Sequence, residues 1–220
     1  MSTTPRRQRR DPWADSVAHL RQIDPAWGPL IDRVGPCILR PRRDRFGTLV
    51  RAIIGQQISS KAAASIDARL RALAGDPHHP ESLLAQGEAG LRSVGLSGVK
   101  ARYVLHLSEA VQTGDVPLHR IGRWTDEAIV ERLTTVKGVG VWTAEMFLIF
   151  ALNRPDVLPV SDLGIRVGLR DWFGLDDLPT PAVCRTLTEP WRPHRTAAMW
   201  YLWRRLDQPK GPDSRPTSVS

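Results

Sequence analysis

Apolar residues recur every three or four positions along most of the chain, and no stretch alternates convincingly at period two. Phe46, Leu49, Val50, Ile53 and Ile54 fall on one face of a helix that runs up to Gly55. Ser59 or Ser60 caps the next helix, with Ala63, Ile66, Leu70 and Leu73 as its buried stripe. Thr125, followed by Asp126 and Glu127, marks another start, with the carboxylates at the positive end of the helix dipole. A helix from about Trp142 to Leu152 would bury Ala144, Phe147, Leu148 and Ala151. Asp162 stands before a helix carrying Ile165, Leu169 and Trp172, and a last helix runs through Ala197 to Leu206. The pattern predicts an all-α protein, with no repeat of the kind that builds a solenoid.

The 220 residues suit one large domain or two small lobes sharing a core, and 41% hydrophobic content supports a buried interior. No apolar run approaches the ~20 residues that span a bilayer, and the start is basic and polar without a signal-peptide core, so a soluble intracellular protein is expected. Residues 1–10, with Arg6, Arg7, Arg9 and Arg10, and the Pro-, Ser- and Gly-rich stretch 209–220 read as flexible tails around a domain at 11–208. Net charge is +8, and 27 of the 31 basic residues are arginine. A GC-rich genome favours arginine over lysine, but it does not create a surplus over Asp and Glu. The surplus points to an anionic partner, nucleic acid first. Cys37 and Cys184 belong to no CxxC pair and read as buried small hydrophobes. The six histidines are scattered, with only His78 and His79 adjacent, which argues against a zinc site; the cysteines argue equally against an iron–sulfur cluster.

The most informative stretch is Leu133-Thr-Thr-Val-Lys-Gly-Val-Gly-Val-Trp-Thr-Ala144. It joins two predicted helices by a hairpin in which Gly138 and Gly140 flank Val139. Glycine tolerates positive φ and lets backbone approach a ligand closely. Val139 can plug into the core, leaving amides after Gly138 aimed outward at the positive end of the next helix, a geometry suited to a phosphate oxygen. Lys137 and Thr143 flank this site. A bare GxG is usually an ordinary turn, but the flanking Leu133, Val136, Thr143 and Ala144 make this one resemble the helix-hairpin-helix motif of DNA-repair proteins. Contacts of this kind position a protein on DNA without reading sequence.

Further on lies Leu158-Pro-Val-Ser-Asp162-Leu-Gly-Ile165. A hairpin followed at this distance by a Pro-containing loop and an Asp at a helix start resembles the helix-hairpin-helix glycosylase superfamily. Ile53-Ile-Gly-Gln-Gln-Ile-Ser-Ser-Lys61 and Pro190-Trp-Arg-Pro-His-Arg, leading to Trp200-Tyr-Leu-Trp203, are similar to its 3-methyladenine DNA glycosylase II (AlkA-like) branch. The similarity covers roughly Phe46 to Arg205. Larger members carry an additional N-terminal α+β domain, and only about 45 residues precede the match, so its absence is expected. The resemblance implies a two-lobed helical bundle with a cleft between the lobes. It also implies a monomeric, monofunctional enzyme of base excision repair that flips alkylated purines (3-methyladenine, 7-methylguanine) from double-stranded DNA and hydrolyses their glycosidic bond. It should work on the bacterial nucleoid in the cytoplasm and require no cofactor.

The resemblance also implies roles. On capping statistics alone Asp162 is an N-cap; the family pattern makes it the essential carboxylate, stabilising positive charge on the sugar or activating water. Trp142, ordinarily core, becomes a pocket wall able to stack on a cationic base. Gln57 matches the wedge that fills the gap left by a flipped nucleotide, with Gln56 as second choice. The carbonyls of Thr134, Val136 and Val139 match those that hold Na⁺ or K⁺ beside DNA phosphate. Lys137 departs from the Pro often found there. Met146, Trp27 and His194 are candidates for the rest of the pocket. Two alternatives compete: an inactive binding module, which leaves Asp162 and the Gln-Gln and Trp-Arg-Pro segments unexplained, and a glycosylase/lyase, whose nucleophilic Lys stands where this chain has Trp142. The lesion range, including hypoxanthine, ethenoadenine, 1-methyladenine and 3-methylcytosine, is left to pocket shape.

Overall fold

The computed structural model describes residues 11–76 and 78–207, so the tails expected at 1–10 and 209–220 lie outside the described residues. Among those described there are eleven α-helices and no strand: α1 (Ala14–Ile23), α2 (Trp27–Val34), α3 (Arg45–Gly55), α4 (Ser60–Ala74), α5 (Pro80–Ser93), α6 (Gly98–Gln112), α7 (Asp126–Thr134), α8 (Val141–Phe150), α9 (Leu163–Phe173), α10 (Pro181–Leu187) and α11 (Arg195–Leu206). The all-α expectation holds. The helices form two compact units. Leu39–Pro159 makes one; residues 11–38 and 160–207 make the other.

Polar side chains define many of the helix starts. Asp44, Ser59, Ser97, Thr125, Asp162 and Thr180 each accept the backbone N–H three residues on, opening α3, α4, α6, α7, α9 and α10. Each such cap satisfies an amide that helix geometry leaves unpaired and contributes about 1 kcal/mol. Apolar spacing marks α3, α4, α7, α8, α9 and α11 and leaves α1, α2, α5, α6 and α10 unmarked. The reasons are local. α5 is broken by Gly87 at φ +60°, which interrupts its period, and α1 buries only Ser16 and Leu20.

In the unit formed by Leu39–Pro159, α3 packs against α8, α4 and α6, while α5 and α6 pair with each other. Phe46, Leu49, Val50, Ile53 and Ile54 are all buried, as their spacing predicts. α8 buries Thr143, Ala144, Met146, Phe147, Leu148 and Ile149, so it is apolar on nearly every side. The stripe predicted for α4 needs correction: Leu70 is buried and Ala63 and Ile66 are half-buried, but Leu73 is 39% exposed. The face runs through Asp67 and Ala74 instead, and Asp67 lies there because it is paired. Its Oδ1 is 2.9 Å from Nε2 of buried His78 and its Oδ2 accepts from Arg71 at 2.9 Å. Burial pushes the Asp67 carboxyl up, but these hydrogen bonds outweigh it and hold it below the usual range.

The other unit is built around Trp27, which is fully buried. Its indole stacks on Trp172 at 4.2 Å and meets Trp191 and Tyr201 edge-on at 5.1 and 6.4 Å. Tyr201 donates its hydroxyl to the Gly35 carbonyl at 3.1 Å, and burial pushes its phenol up to about 12. Cys37 and Cys184 are buried thiols, as expected. Trp27→Ala should cost about 3–5 kcal/mol in urea denaturation, the scale for emptying a buried aromatic site, while Trp27→Phe should cost less. Equal and small losses for both would show that the aromatic cluster does not carry this unit.

Candidate nucleic-acid interface and carboxylate site

α7 and α8 are joined by the predicted hairpin. The Val136 amide bonds the Leu133 carbonyl, and the Val139 amide bonds the Val136 carbonyl at 2.9 Å, closing a tight turn. Val136 and Val139 point inward and are buried, so Val139 is the plug its position suggested. The two glycines do different things. Gly138 has φ +92°, and a Cβ there would lie 2.0 Å from Cγ of Tyr103 on α6. Gly140 is extended (φ −88°, ψ 177°) and caps α8, and a Cβ there would meet nothing within 4 Å. The first glycine is required by the protein's own packing. The second keeps clear the space before a helix N-terminus, where the first-turn amides have no intrahelical acceptor and attract an anion.

Two expectations change here. The Val139 amide is spent inside the turn, so the outward donors begin at the start of α8. Thr143 is only 1% exposed and its hydroxyl accepts from Nε2 of Gln56 at 3.1 Å, so that hydroxyl serves the interior and not phosphate. Lys137 is exposed on the hairpin, where a phosphate contact is open to it.

Gln56 is committed in the same way. Its Nε2 also donates to the Gly138 carbonyl at 3.0 Å, so this residue, expected as second choice for the wedge, links the end of α3 to the hairpin. Gln57 is exposed and has φ +57°, the left-handed region that costs a non-glycine residue about 1–3 kcal/mol. Ile58 beside it is 38% exposed. A strained turn that presents Gln57 to solvent is consistent with the wedge position. Trp142 sits half-buried in the first turn of α8, and Met146 follows one turn later on the same side of that helix.

Asp162 is the N-cap of α9. Its Oδ1 accepts the Ile165 amide at 2.8 Å and the indole N–H of Trp203, from α11, at 3.2 Å. Gly164 lets this junction close: a Cβ there would lie 3.1 Å from the same Oδ1 and 3.4 Å from Trp203 Cδ1. The carboxylate is half-buried and fixed by two donors from two helices. Trp203 was visible only as part of a motif, and Tyr103 had no sequence signal, because its partner lies 35 positions away. One pocket candidate is corrected: Trp27 is in the core of its unit. His194 is half-buried, engages Ser16 Oγ through Nδ1 at 2.9 Å and lies 4.8 Å from the His19 ring.

Residues 50–193 match the family described as HhH-GPD superfamily base excision DNA repair protein. The chain is 36% identical over 192 residues to DNA-3-methyladenine glycosylase 1 of Schizosaccharomyces pombe, covering 84% of each protein. It is 31% identical over 170 residues to DNA-3-methyladenine glycosylase 2 of Escherichia coli, covering 73% of this chain and 57% of that one. The solved structure of the S. pombe 3-methyladenine DNA glycosylase in complex with abasic DNA superposes with a TM-score of 0.81 at 35% identity, over 89% of this chain and 98% of that chain. With the family model matching most of its length and a relative 36% identical over 84% of both proteins, the chain belongs to the HhH-GPD superfamily of base excision DNA repair proteins.

Proposed function

We propose that this protein is a monofunctional DNA glycosylase that removes alkylated purines, 3-methyladenine and 7-methylguanine first, from duplex DNA. The observation that carries this reading is Asp162. Losing a purine leaves positive charge on the deoxyribose, and a fixed carboxylate stabilises that oxocarbenium-like state without having to reorganise. Bonds from the Ile165 amide and the Trp203 indole to Oδ1 provide the fixing. Trp142 supplies an indole face for the base. A base alkylated at N3 or N7 is cationic, so stacking gains about 0.5–2 kcal/mol over a neutral purine. The same charge makes it a good leaving group. Gln57 fills the gap left in the duplex, which offsets part of the few kcal/mol that flipping costs.

The hairpin anchors DNA through the start of α8, with Lys137 adding a phosphate contact. We also place a monovalent cation on the carbonyls of Thr134, Val136 and Val139. Thr134 ends α7, where carbonyls lack helical partners and the dipole is negative, and the Val136 carbonyl, although bonded to Val139, keeps a second lone pair. Such an ion would neutralise phosphate charge at the hairpin. We take the protein to act as a monomer on chromosomal DNA in the bacterial cytoplasm. No described helix is long and apolar enough to cross a membrane. The relatives come from yeast and bacteria alike, so bacterial origin rests on the arginine bias alone.

Asp162→Asn keeps the capping oxygen but removes the charge, so the variant should fold and bind abasic-site DNA. Its excision of 7-methylguanine, measured by mass spectrometry of released bases, should drop by about 10²-fold or more. Near-normal excision by the folded variant would remove Asp162 from the chemistry. The hairpin glycines should separate. Gly138→Ala collides with Tyr103 and should lower the melting temperature. Gly140→Ala should leave melting unchanged and weaken binding to damaged and undamaged DNA alike, and binding by the wild type should weaken steeply with salt. Full affinity in Gly140→Ala would move the anchor elsewhere.

No lyase step is expected. Lys61 and Lys137 are exposed, Lys100 is tied to two backbone carbonyls, and Lys210 lies outside the described residues. The product should be an intact strand with an abasic site, and borohydride should trap no covalent complex. A trapped adduct mapped to Lys137, with nicking lost in Lys137→Gln, would overturn the monofunctional reading.

A further inference from the structure

Lys100 stands in the first turn of α6, three residues after its cap Ser97. A cation is unfavourable there, because the first turn carries the positive end of the helix dipole. Residues that break a local rule call for a compensating partner. Here the partner is the end of another helix. Nζ of Lys100 donates to the carbonyls of Ile54 at 2.7 Å and Gln56 at 2.6 Å. Ile54 is in the last turn of α3, where helix geometry leaves carbonyls unpaired at the negative end of the dipole, and Gln56 is the C-cap that follows. Nζ reaches them in a cavity of about 250 Å³ that Ile54, Gln57, Ile58, Leu96 and Ser97 help to line. Burial there holds the ammonium below its usual range.

The turn that Lys100 closes is the one that forces Gln57 into φ +57°. Strain of this kind persists only where the surroundings over-determine it. Two ties do so: Lys100 grips the carbonyls on either side of Gly55, and the Gln56 side chain grips the Gly138 carbonyl and Thr143 hydroxyl. We infer that Lys100 is a positioning residue for DNA flipping, holding the Gln57 turn in its outward form and, through Gln56, in register with the phosphate-binding hairpin. This inference rests on the reading of Gln57 as the wedge. It does not depend on the identity of the excised base.

The test uses the full chain and a duplex with a tetrahydrofuran abasic site beside 2-aminopurine, whose fluorescence rises when a wedge unstacks it. Lys100→Met, Lys100→Gln, Gln57→Ala and the double variant Gln57→Ala/Lys100→Met are compared at saturating protein. Lys100→Met should reduce the unstacking equilibrium about tenfold, the scale of losing hydrogen bonds from a charged group, with a much smaller change in Kd for undamaged duplex. Lys100→Gln, which keeps N–H donors but not the charge, should lose less. In the Gln57→Ala background Lys100→Met should add no further loss. A full additional loss there would overturn the inference, since Lys100 would not act through Gln57. A loss in Gln57→Ala with none in Lys100→Met would also overturn it while leaving the wedge reading intact. No loss in Gln57→Ala would instead sink the wedge reading. If Lys100→Met does not fold by circular dichroism, the same comparison is made with Lys100→Gln.

Discussion

The hairpin between α7 and α8 depends on the Tyr103 ring lying where a side chain at position 138 would otherwise be. A Cβ on Gly138 would sit 2.0 Å from Tyr103 Cγ, and the residue has φ +92°. Close packing of this kind is possible only with glycine, and it seats the turn on α6. The Gly138 carbonyl then accepts from Gln56. The end of α3, the start of α6 and the start of α8 therefore meet at one glycine. None of these contacts is strong alone, since a neutral hydrogen bond contributes about 1 kcal/mol net. Their effect is geometric: they fix where the α8 amides and the Gln57 turn stand.

The parts of this arrangement that the sequence revealed are those with short-range signals. Helix starts were legible at Ser59, Thr125 and Asp162, where a capping side chain precedes a clear apolar period, and not at Ser97 or Thr180, which cap equally well. The hairpin was legible because Leu133, Val136, Thr143 and Ala144 flank the two glycines, which alone would mark only a turn. The Thr143 hydroxyl looks like a ligand contact at a helix start, whereas it bonds Gln56, 87 positions away. Trp27 was misassigned for a related reason: nothing in its neighbourhood announces the three aromatic partners it meets from α9, α11 and the segment between α10 and α11. Leu73 missed the core because Asp67, being paired with His78 and Arg71, shifted the buried face of α4 by part of a turn. Long-range pairing decides such cases, and periodicity does not report it.

The placement of Asp162 has a physical logic of its own. An N-cap carboxylate is already favoured, because it accepts an unpaired amide and faces the positive end of α9. Those influences hold it oriented before any substrate arrives. The second donor, Trp203, comes from a different helix, so the carboxylate is held on two sides instead of swinging about its own cap. Electrostatic stabilisation of a developing cation is effective when the stabilising charge need not move during the reaction. On the proposed reading of Asp162, the fold and the chemistry require the same side chain. Exchanging the carboxylate for an amide separates the two, since capping tolerates Asn and stabilisation of positive charge does not.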